Sequence, residues 1–408
     1  MTTSTPTFPI DFSDPEFLTG DRTESYRRLR HMGTIPWPHQ ESTWVVSRHE
    51  DIRDIVRLTS TRVQPEGTTA PPWMDAGPAR DRLRANLVQV DEPDHSRLRN
   101  VVGPLFIPRR VAQFREIAAE SVARALTRVP DGHAIDAVHE LAVDIPRGVI
   151  CHFLGIPEDD WGRLTENQHE FLQIFSPVPL DDQGKKSLDA ITRFYLDYFE
   201  EFLDSRPTEQ HSPYVRLLLE AQARGDLSRT EVLSLTHTIL DAGYETTRTS
   251  ISNIVEILAT HPGVFDALEA DPSLADSATE EFLRFRTPLH VRERYLTEPF
   301  TTSDGIELPV GAHVILMLAA ANRDEAAFDN PDSIDLGRHN AGQHQAFGGG
   351  LHHCLGAPIA RIQIQETLKG LASHFDRIEQ VEPGVRFPDL IFPALTSLPV
   401  VMRRSGVS

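Results

Sequence analysis

Three consecutive glycines, Gly348–Gly350, run into His352, His353 and Cys354, and Pro358 follows within the same short stretch, AFGGGLHHCLGAP. Glycines in series neither propagate a helix nor pack a strand, whereas a proline just inside an apolar-periodic run marks a helix start. Ile359, Ile362, Leu368 and Leu371 supply that periodicity. The spacing therefore predicts a glycine turn that lets backbone approach another group closely, with Cys354 at or just before a helix N-terminus. Unpaired amide N–H groups and the positive end of the helix dipole favour an anion there, and so favour the thiolate over the thiol.

Cys354 is one of only two cysteines in 408 residues. Two cannot build a disulfide framework, and their scarcity points to a reducing compartment, so the cytoplasm is expected. Cys151, within RGVICHFLG, reads as a small apolar core residue. For Cys354 three readings stay open on residue type alone. A structural cysteine packs beside the turn. A zinc site would draw on His344, His352 or His353, although no C-x-x-C or H-x-x-x-H partner set completes a tetrahedron. A thiolate-ligated haem needs only one cysteine and a backbone able to approach the macrocycle.

Composition removes other classes. Hydrophobic residues make up 39 % and charged residues 25 %, enough for a large core. The formal charge of -20 repels phosphate backbones, and no basic run offsets it, so nucleic acid is excluded as a partner. No stretch of about 18 apolar residues suits a membrane span, and the N-terminus lacks the pattern of a signal peptide.

Along the chain, residues 1–24 read as an extension, with its first twenty residues wrapping loosely over the surface. ESYRRLRHM begins helical order, and Trp44–Ser47 reads as a short strand ahead of a helix carrying Ile52 and Ile55. Ser60–Val88, long and rich in Pro and Gly, reads as a functional loop of lid type. From about residue 91 to 265 the pattern is helical, punctuated at Pro104, Gly155–Pro157, Pro177–Pro179 and Arg206–Pro207. Short alternating runs between Arg294 and Pro309, and again near the C-terminus, predict small sheets. No linker or repeat divides the chain, so a single large, mainly α domain over 25–408 is expected.

Leu233–Pro262 reads as a long amphipathic helix interrupted at Ala242-Gly243 and by Glu245-Thr246-Thr247. Glycine costs about 1 kcal/mol against alanine in a helix interior, and threonine can bond back to preceding carbonyls. Taken alone, these are an exposed Glu and ordinary Thr residues.

Together the motifs resemble the cytochrome P-450 family. Phe347, Gly348, Gly350, His352, Cys354 and Gly356 are similar to that family's F-G-x-G-x-H-x-C-x-G loop, and LGAPIAR continues like its bacterial members. EFLR, Glu281–Arg284, resembles the E-x-x-R helix, and Ala321–Arg338 resembles the A-N-R-D segment and the meander after it. DEPDHSRLR looks like the segment whose His95 and Arg99 meet the haem propionates, and Arg294 matches a further propionate-binding arginine. AGYETT resembles the A-G-x-E/D-T motif, with Tyr244 where many bacterial relatives carry His.

The resemblance covers residues from about 25 to the C-terminus. It implies a cytochrome P-450-like fold binding haem b, with Cys354 on the iron and Phe347, Gly348, His352, Gly356, Ala242, Gly243, His95, Arg99 and Arg294 around the cofactor. Gly243 would be where dioxygen fits, Glu245 the acid and Thr246 the hydroxyl. Glu281, Arg284 and Arg338 would form a buried salt-bridge cluster behind the cysteine loop. The implied activity is monooxygenation of a small or medium-sized organic substrate, with a ferredoxin or flavodoxin and its NAD(P)H-dependent reductase as electron donors and the enzyme as a monomer. The alternatives are peroxide-driven oxygenation, phenol coupling or rearrangement, and a non-catalytic haem sensor. Arg97, Arg99, Arg109 and Arg110 offer a basic patch to an acidic carrier, while His290 and Arg292 suggest a polar substrate.

Overall fold

The computed structural model describes residues 10–12, 14–37, 40–71, 73–176 and 179–404. Residues 1–9 and 13 of the N-terminal extension, and Pro177 of the expected punctuation, lie outside them. The helices that matter below are α1 (Thr23–Met32), α2 (Pro78–Leu83), α3 (Asp94–Val102), α4 (Phe114–Thr127), α5 (Asp144–Leu154), α6 (Asp182–Asp204), α7 (Arg229–Thr260), α8 (Ala275–Phe285) and α9 (Ala357–His374). Helices dominate and sheets are small, the class that the periodicity predicts. Among the described residues no helix is long and apolar enough to cross a membrane.

The chain folds into two compact units, each assembled from separate stretches of sequence, which is why no linker is visible. The first comprises Met1–Arg62, Asp276–His353 and Gly384–Thr396. It holds α1, nearly all of α8 and a sheet of five strands: β1 (Ile35–Pro36), β2 (Thr43–Val46), β3 (Thr61–Arg62), β4 (Val291–Leu296) and β5 (His313–Met317), in the order β1-β2-β5-β4-β3. β5 is buried along its whole length because it is central, parallel to β2 and antiparallel to β4. Phe12 of the N-terminal extension packs edge-on against Trp37, with ring centroids 5.3 Å apart.

The second unit comprises Val63–Ala275, Cys354–Pro383 and Ser397–Ser408. α7 runs through it for 32 residues. A capping box between Ser228 and Glu231 satisfies orphan amides at its start, and α5 and α9 pack against its flank. The interruption expected at Ala242-Gly243 does not occur. Instead the Thr246 hydroxyl donates back to the Ala242 carbonyl at 2.8 Å, inside an unbroken helix. α5 ends at Gly155 in the left-handed region, φ 73°. Cys151 on α5 is fully buried, and burial pushes its thiol up to about 12, so it is inert core.

The loop read as a lid contains β3 and α2, and most of it lies in the second unit. There Trp73 Nε1 donates to the Ser176 carbonyl at 3.1 Å, Lys185 of α6 lies 3.1 Å from Asp75, and Asp189 of α6 accepts from the Ala79 amide at 3.0 Å.

Candidate haem-thiolate site

The glycine turn is shaped by Val56 in the first unit. Gly350 sits at φ +61°, and a Cβ there would collide with the Val56 carbonyl oxygen. Only glycine satisfies both demands. Phe347 is half-buried, its ring centroid 5.6 Å from that of His344 and 6.5 Å from that of His353. His344 in turn lies 3.5 Å from the Glu280 carboxylate. A one-turn 3₁₀ helix, Gly350–His352, leads to Cys354, which is exposed and forms no disulfide. α9 starts three residues later, with Gly356 at its N-cap, so the thiol stands at the positive end of an 18-residue helix.

Arg99 on α3 stands within electrostatic reach of that thiol. Burial lowers the pKa of the Arg99 guanidinium and the charge of Cys354 pulls it back up. His95 lies one turn earlier, 1 % exposed, with Nδ1 3.6 Å from Glu92. Burial, then the Arg99 charge, holds the imidazole below its ordinary range and hence neutral near pH 7. In the first unit Arg294 is buried on β4, and its Nη1 donates to the Glu293 carbonyl at 2.7 Å.

On α7 most residues from Val232 to Leu258 are buried, yet Ala242 is exposed and Gly243 and Thr246 are half-buried. The helix therefore has one open face, at the Ala242–Thr246 turn. Gly243 itself is occupied from behind: a Cβ there would lie 2.5 Å from Cδ1 and 3.1 Å from Cγ1 of Ile150 on α5. Close helix–helix approach accounts for this glycine, and Ala242 is the residue the open face presents.

Glu245 is 1 % exposed and does not stand alone. Arg248 grips it bidentately, Nε to Oε2 at 2.9 Å and Nη2 to Oε1 at 2.5 Å, and His169 Nδ1 lies 3.4 Å from Oε1. Burial raises the pKa of this carboxyl, but Arg248 and His169 together outweigh burial and leave it lowered, so Glu245 is held ionised. Tyr244 is 2 % exposed, and its phenol, pushed up by burial, bonds Thr165.

Glu281, Arg284 and Arg338 meet in the first unit. Arg284 grips Glu281 through two 2.8 Å bonds, and Arg338 Nε lies 3.0 and 3.2 Å from its two oxygens. The remaining donors of Arg284 reach the Asn322, Pro331 and Ser333 carbonyls, and the Asp335 amide donates to Glu281. Both side chains of the Arg284–Glu281 pair are wholly buried, so the cluster is tolerable only because its donors and acceptors are met.

His290 does not present a free polar group. Its Nδ1 lies 2.7 Å from the Tyr26 hydroxyl of α1 and 3.4 Å from Arg22. That removes it as support for a polar substrate.

The donor set fits one cofactor. Among the described residues no group of three or more His, Cys, Asp or Glu could hold a metal, so a zinc site lacks ligands. One exposed thiol at a helix N-terminus, with a neighbouring arginine and, in the same unit, an open turn on α7, suits a haem that asks a single thiolate of the protein. Sequence reasoning missed Arg248 and His169. Arg248 was readable as an i,i+3 partner of Glu245; His169 carried no local signal.

Comparison with known proteins points the same way. The Cytochrome P450 family model matches residues 160–394. The mycinamicin IV hydroxylase/epoxidase of Micromonospora griseorubida is 34 % identical over 388 residues, 92 % of this chain and 91 % of its own length. The monooxygenase PikC of Streptomyces venezuelae is 30 % identical over 415 residues, 99 % of this chain and 96 % of that one. The crystal structure of CalO2 superposes with a TM-score of 0.88 at 28 % identity, covering 98 % of this chain and all of that one, 100 %.

Proposed function

Because this chain belongs to the cytochrome P450 family, we propose that it hydroxylates a C–H bond of a small or medium-sized organic substrate with one atom of dioxygen, using electrons from a separate ferredoxin or flavodoxin and its NAD(P)H-dependent reductase. The chain is an oxygen-incorporating oxidoreductase whose cofactor is haem b. When bound, that group supplies reductive activation of dioxygen, with its thiolate ligand favouring O–O cleavage. Substrate, O₂, two electrons and two protons give the alcohol and one water.

Cys354 would ligate the iron, with Phe347 beside the sulfur and the turn at Gly348 and Gly356 giving it room. Arg99 and Arg294 would meet the propionates as cations, and His95 and His352 as hydrogen-bond donors, His95 in its neutral form. The buried Glu281–Arg284–Arg338 cluster would support the approach to the cysteine loop, since Arg284 bonds the Asn322 carbonyl and the Gln345 amide donates to the Asn322 side chain.

The single observation that carries oxygen activation is the open turn of α7. The Thr246 proton is committed to the Ala242 carbonyl, so the hydroxyl turns its lone pairs outward and can accept a hydrogen bond from water. Glu245, one residue earlier, is a buried carboxylate and must receive a proton before passing one on. Its partner His169 has a side chain 11 % exposed and marks the side from which that proton arrives.

The carrier would dock near Arg109 and Arg110, which are exposed beside the exposed Ile107. Arg97 is already engaged by Asp94 and Glu231 and adds little. Few cysteines favour the cytoplasm and the mycinamicin-related likeness favours a role in secondary metabolism; the enzyme would act as a monomer.

The test is turnover with a surrogate ferredoxin and reductase under isotopically labelled dioxygen, on compounds selected by spectral binding. One label should enter product and the other water. Thr246→Ala should keep consuming NAD(P)H while most electron pairs appear as hydrogen peroxide. Unlabelled product, or full coupling in the variant, would refute the reading.

A further inference from the structure

A second buried charge cluster lies on α7, one turn before the open face. Arg82 of α2 is 2 % exposed. Its Nε donates to Nδ1 of His237 at 2.8 Å, and its Nη2 donates to Oδ2 of Asp241 at 2.5 Å. A guanidinium has no acceptor, so His237 Nδ1 must carry the lone pair and Nε2 the proton. His237 is thus neutral, with Nε2 lying 2.9 Å from the second Asp241 oxygen, and the charges of Arg82 and Asp241 cancel. The Phe171 ring covers the guanidinium at 4.7 Å, and Tyr195 stands against His237 with ring centroids 4.2 Å apart.

His237 Nε2 and Asp241 Oδ1 face each other without the alignment of a hydrogen bond, and one further donor has neither a bond nor an ion-pair partner. Arg82 Nη1 is buried and has no hydrogen-bond partner, an expensive state for a cationic group unless something else supplies an acceptor. Its position is informative. Nη2 also lies 3.4 Å from Thr238, and Thr238 and Asp241 each stand four residues before Ala242 and Glu245 on the same helix. The guanidinium therefore sits about 5.4 Å, one helical turn, along α7 from the exposed Ala242. It is held there from both ends, since Asp189 of α6 accepts from the Ala79 amide at the start of α2.

We propose that Arg82 determines specificity, its Nη1 binding an uncharged acceptor oxygen of the substrate, a carbonyl, hydroxyl or ether, about one turn of α7 from the carbon that is oxidised. The proposal rests on the reading of Ala242–Thr246 as the oxygen-activating turn. The acceptor is uncharged because Asp241 already neutralises the guanidinium, so a carboxylate would bring an unbalanced buried charge. A pure hydrocarbon would leave the donor unmet, the situation in which polar sites discriminate most strongly.

Azoles that ligate the iron through an imidazole nitrogen test this without knowledge of the natural substrate. The holoenzyme is titrated with N-alkylimidazoles of graded chain length ending in a methyl ketone, an isosteric branched hydrocarbon or a carboxylate. At one chain length the ketone should bind about tenfold or more tighter than the hydrocarbon, and tighter than the acid. Arg82→Met/Asp241→Asn, which removes both charges together, should abolish the ketone preference and keep azole binding. Absence of a ketone preference at every length, preference for the acid, or survival of the preference in the double variant would overturn the proposal. Failure of every azole to perturb the haem spectrum would instead overturn the haem reading itself.

Discussion

Gly243 lies in the motif that the sequence associates with dioxygen, but in the structure its vacant side-chain position is claimed by Ile150. Gly243→Ala separates the two roles. In the helix interior the substitution gains about 1 kcal/mol of propensity. Against that, the new Cβ would stand 2.5 Å from Ile150 Cδ1, which must move by about 1 Å to reach ordinary contact. Ile150 is only 7 % exposed, so the movement displaces packed neighbours, and overpacking of this kind costs about 1–3 kcal/mol. The net loss should be about 0–2 kcal/mol. Ile150→Val, itself costing about 0.5–1.5 kcal/mol, deletes Cδ1 and leaves Cγ1 as the nearest atom at 3.1 Å. In that background Gly243→Ala should become neutral or stabilising, a coupling of about 1–3 kcal/mol in the double-mutant cycle. Chemical denaturation of the four holoenzymes measures it, and carbon-monoxide binding to the reduced proteins reports the open face of α7. An equal cost in both backgrounds, or altered ligand kinetics with unaltered stability, would refute the packing argument.

Glu281→Gln should cost about 3–5 kcal/mol and lower haem retention, because Arg284 and Arg338 would remain buried without a counter-charge; a loss under about 1 kcal/mol on thermal unfolding would contradict it. For His237, burial pushes the folded pKa down to about 4 from an ordinary 6.5, so between those values the unfolded chain binds a proton that the folded chain refuses. Stability should therefore fall as pH drops through that window, by about 3 kcal/mol from this residue. Urea midpoints of His237→Gln measured stepwise in pH should show a flatter profile than the parent. Reversing Arg109 and Arg110 to Glu should slow first-electron transfer about tenfold at low salt and much less at high salt. Arg97→Gln, whose parent side chain is already paired with Asp94 and Glu231, should change that rate little in stopped-flow reduction.

What could be read from the sequence shares one property: its physical demand is local. Gly350 needs a left-handed backbone, Cys354 needs a helix start a few residues away, and Thr246 needs a carbonyl four residues back. Each demand leaves a spacing in the chain. The partners that decide what those residues do leave none. Ile150 lies 93 residues before Gly243 and Arg82 lies 155 before His237, and only packing of α5 and α2 on α7 makes them neighbours. The contrast is sharpest within one stripe of α7. His237 and Asp241 have the i,i+4 spacing of a helix-face pair, and Glu245 and Arg248 the i,i+3 spacing, so both polar pairs are visible in the chain. Read locally, each is an ordinary solvated pair. Burial reverses their meaning, because a charge that water would screen must now be answered by a specific partner: Arg248 and His169 for Glu245, Arg82 for Asp241. Glu245 is consequently held as a carboxylate in place of a ready acid, and α2, part of the stretch that reads as a lid, is tied by charge to α7. The second of those ties leaves a donor unanswered one turn from the open face of α7, and it is there that we propose substrate choice is made.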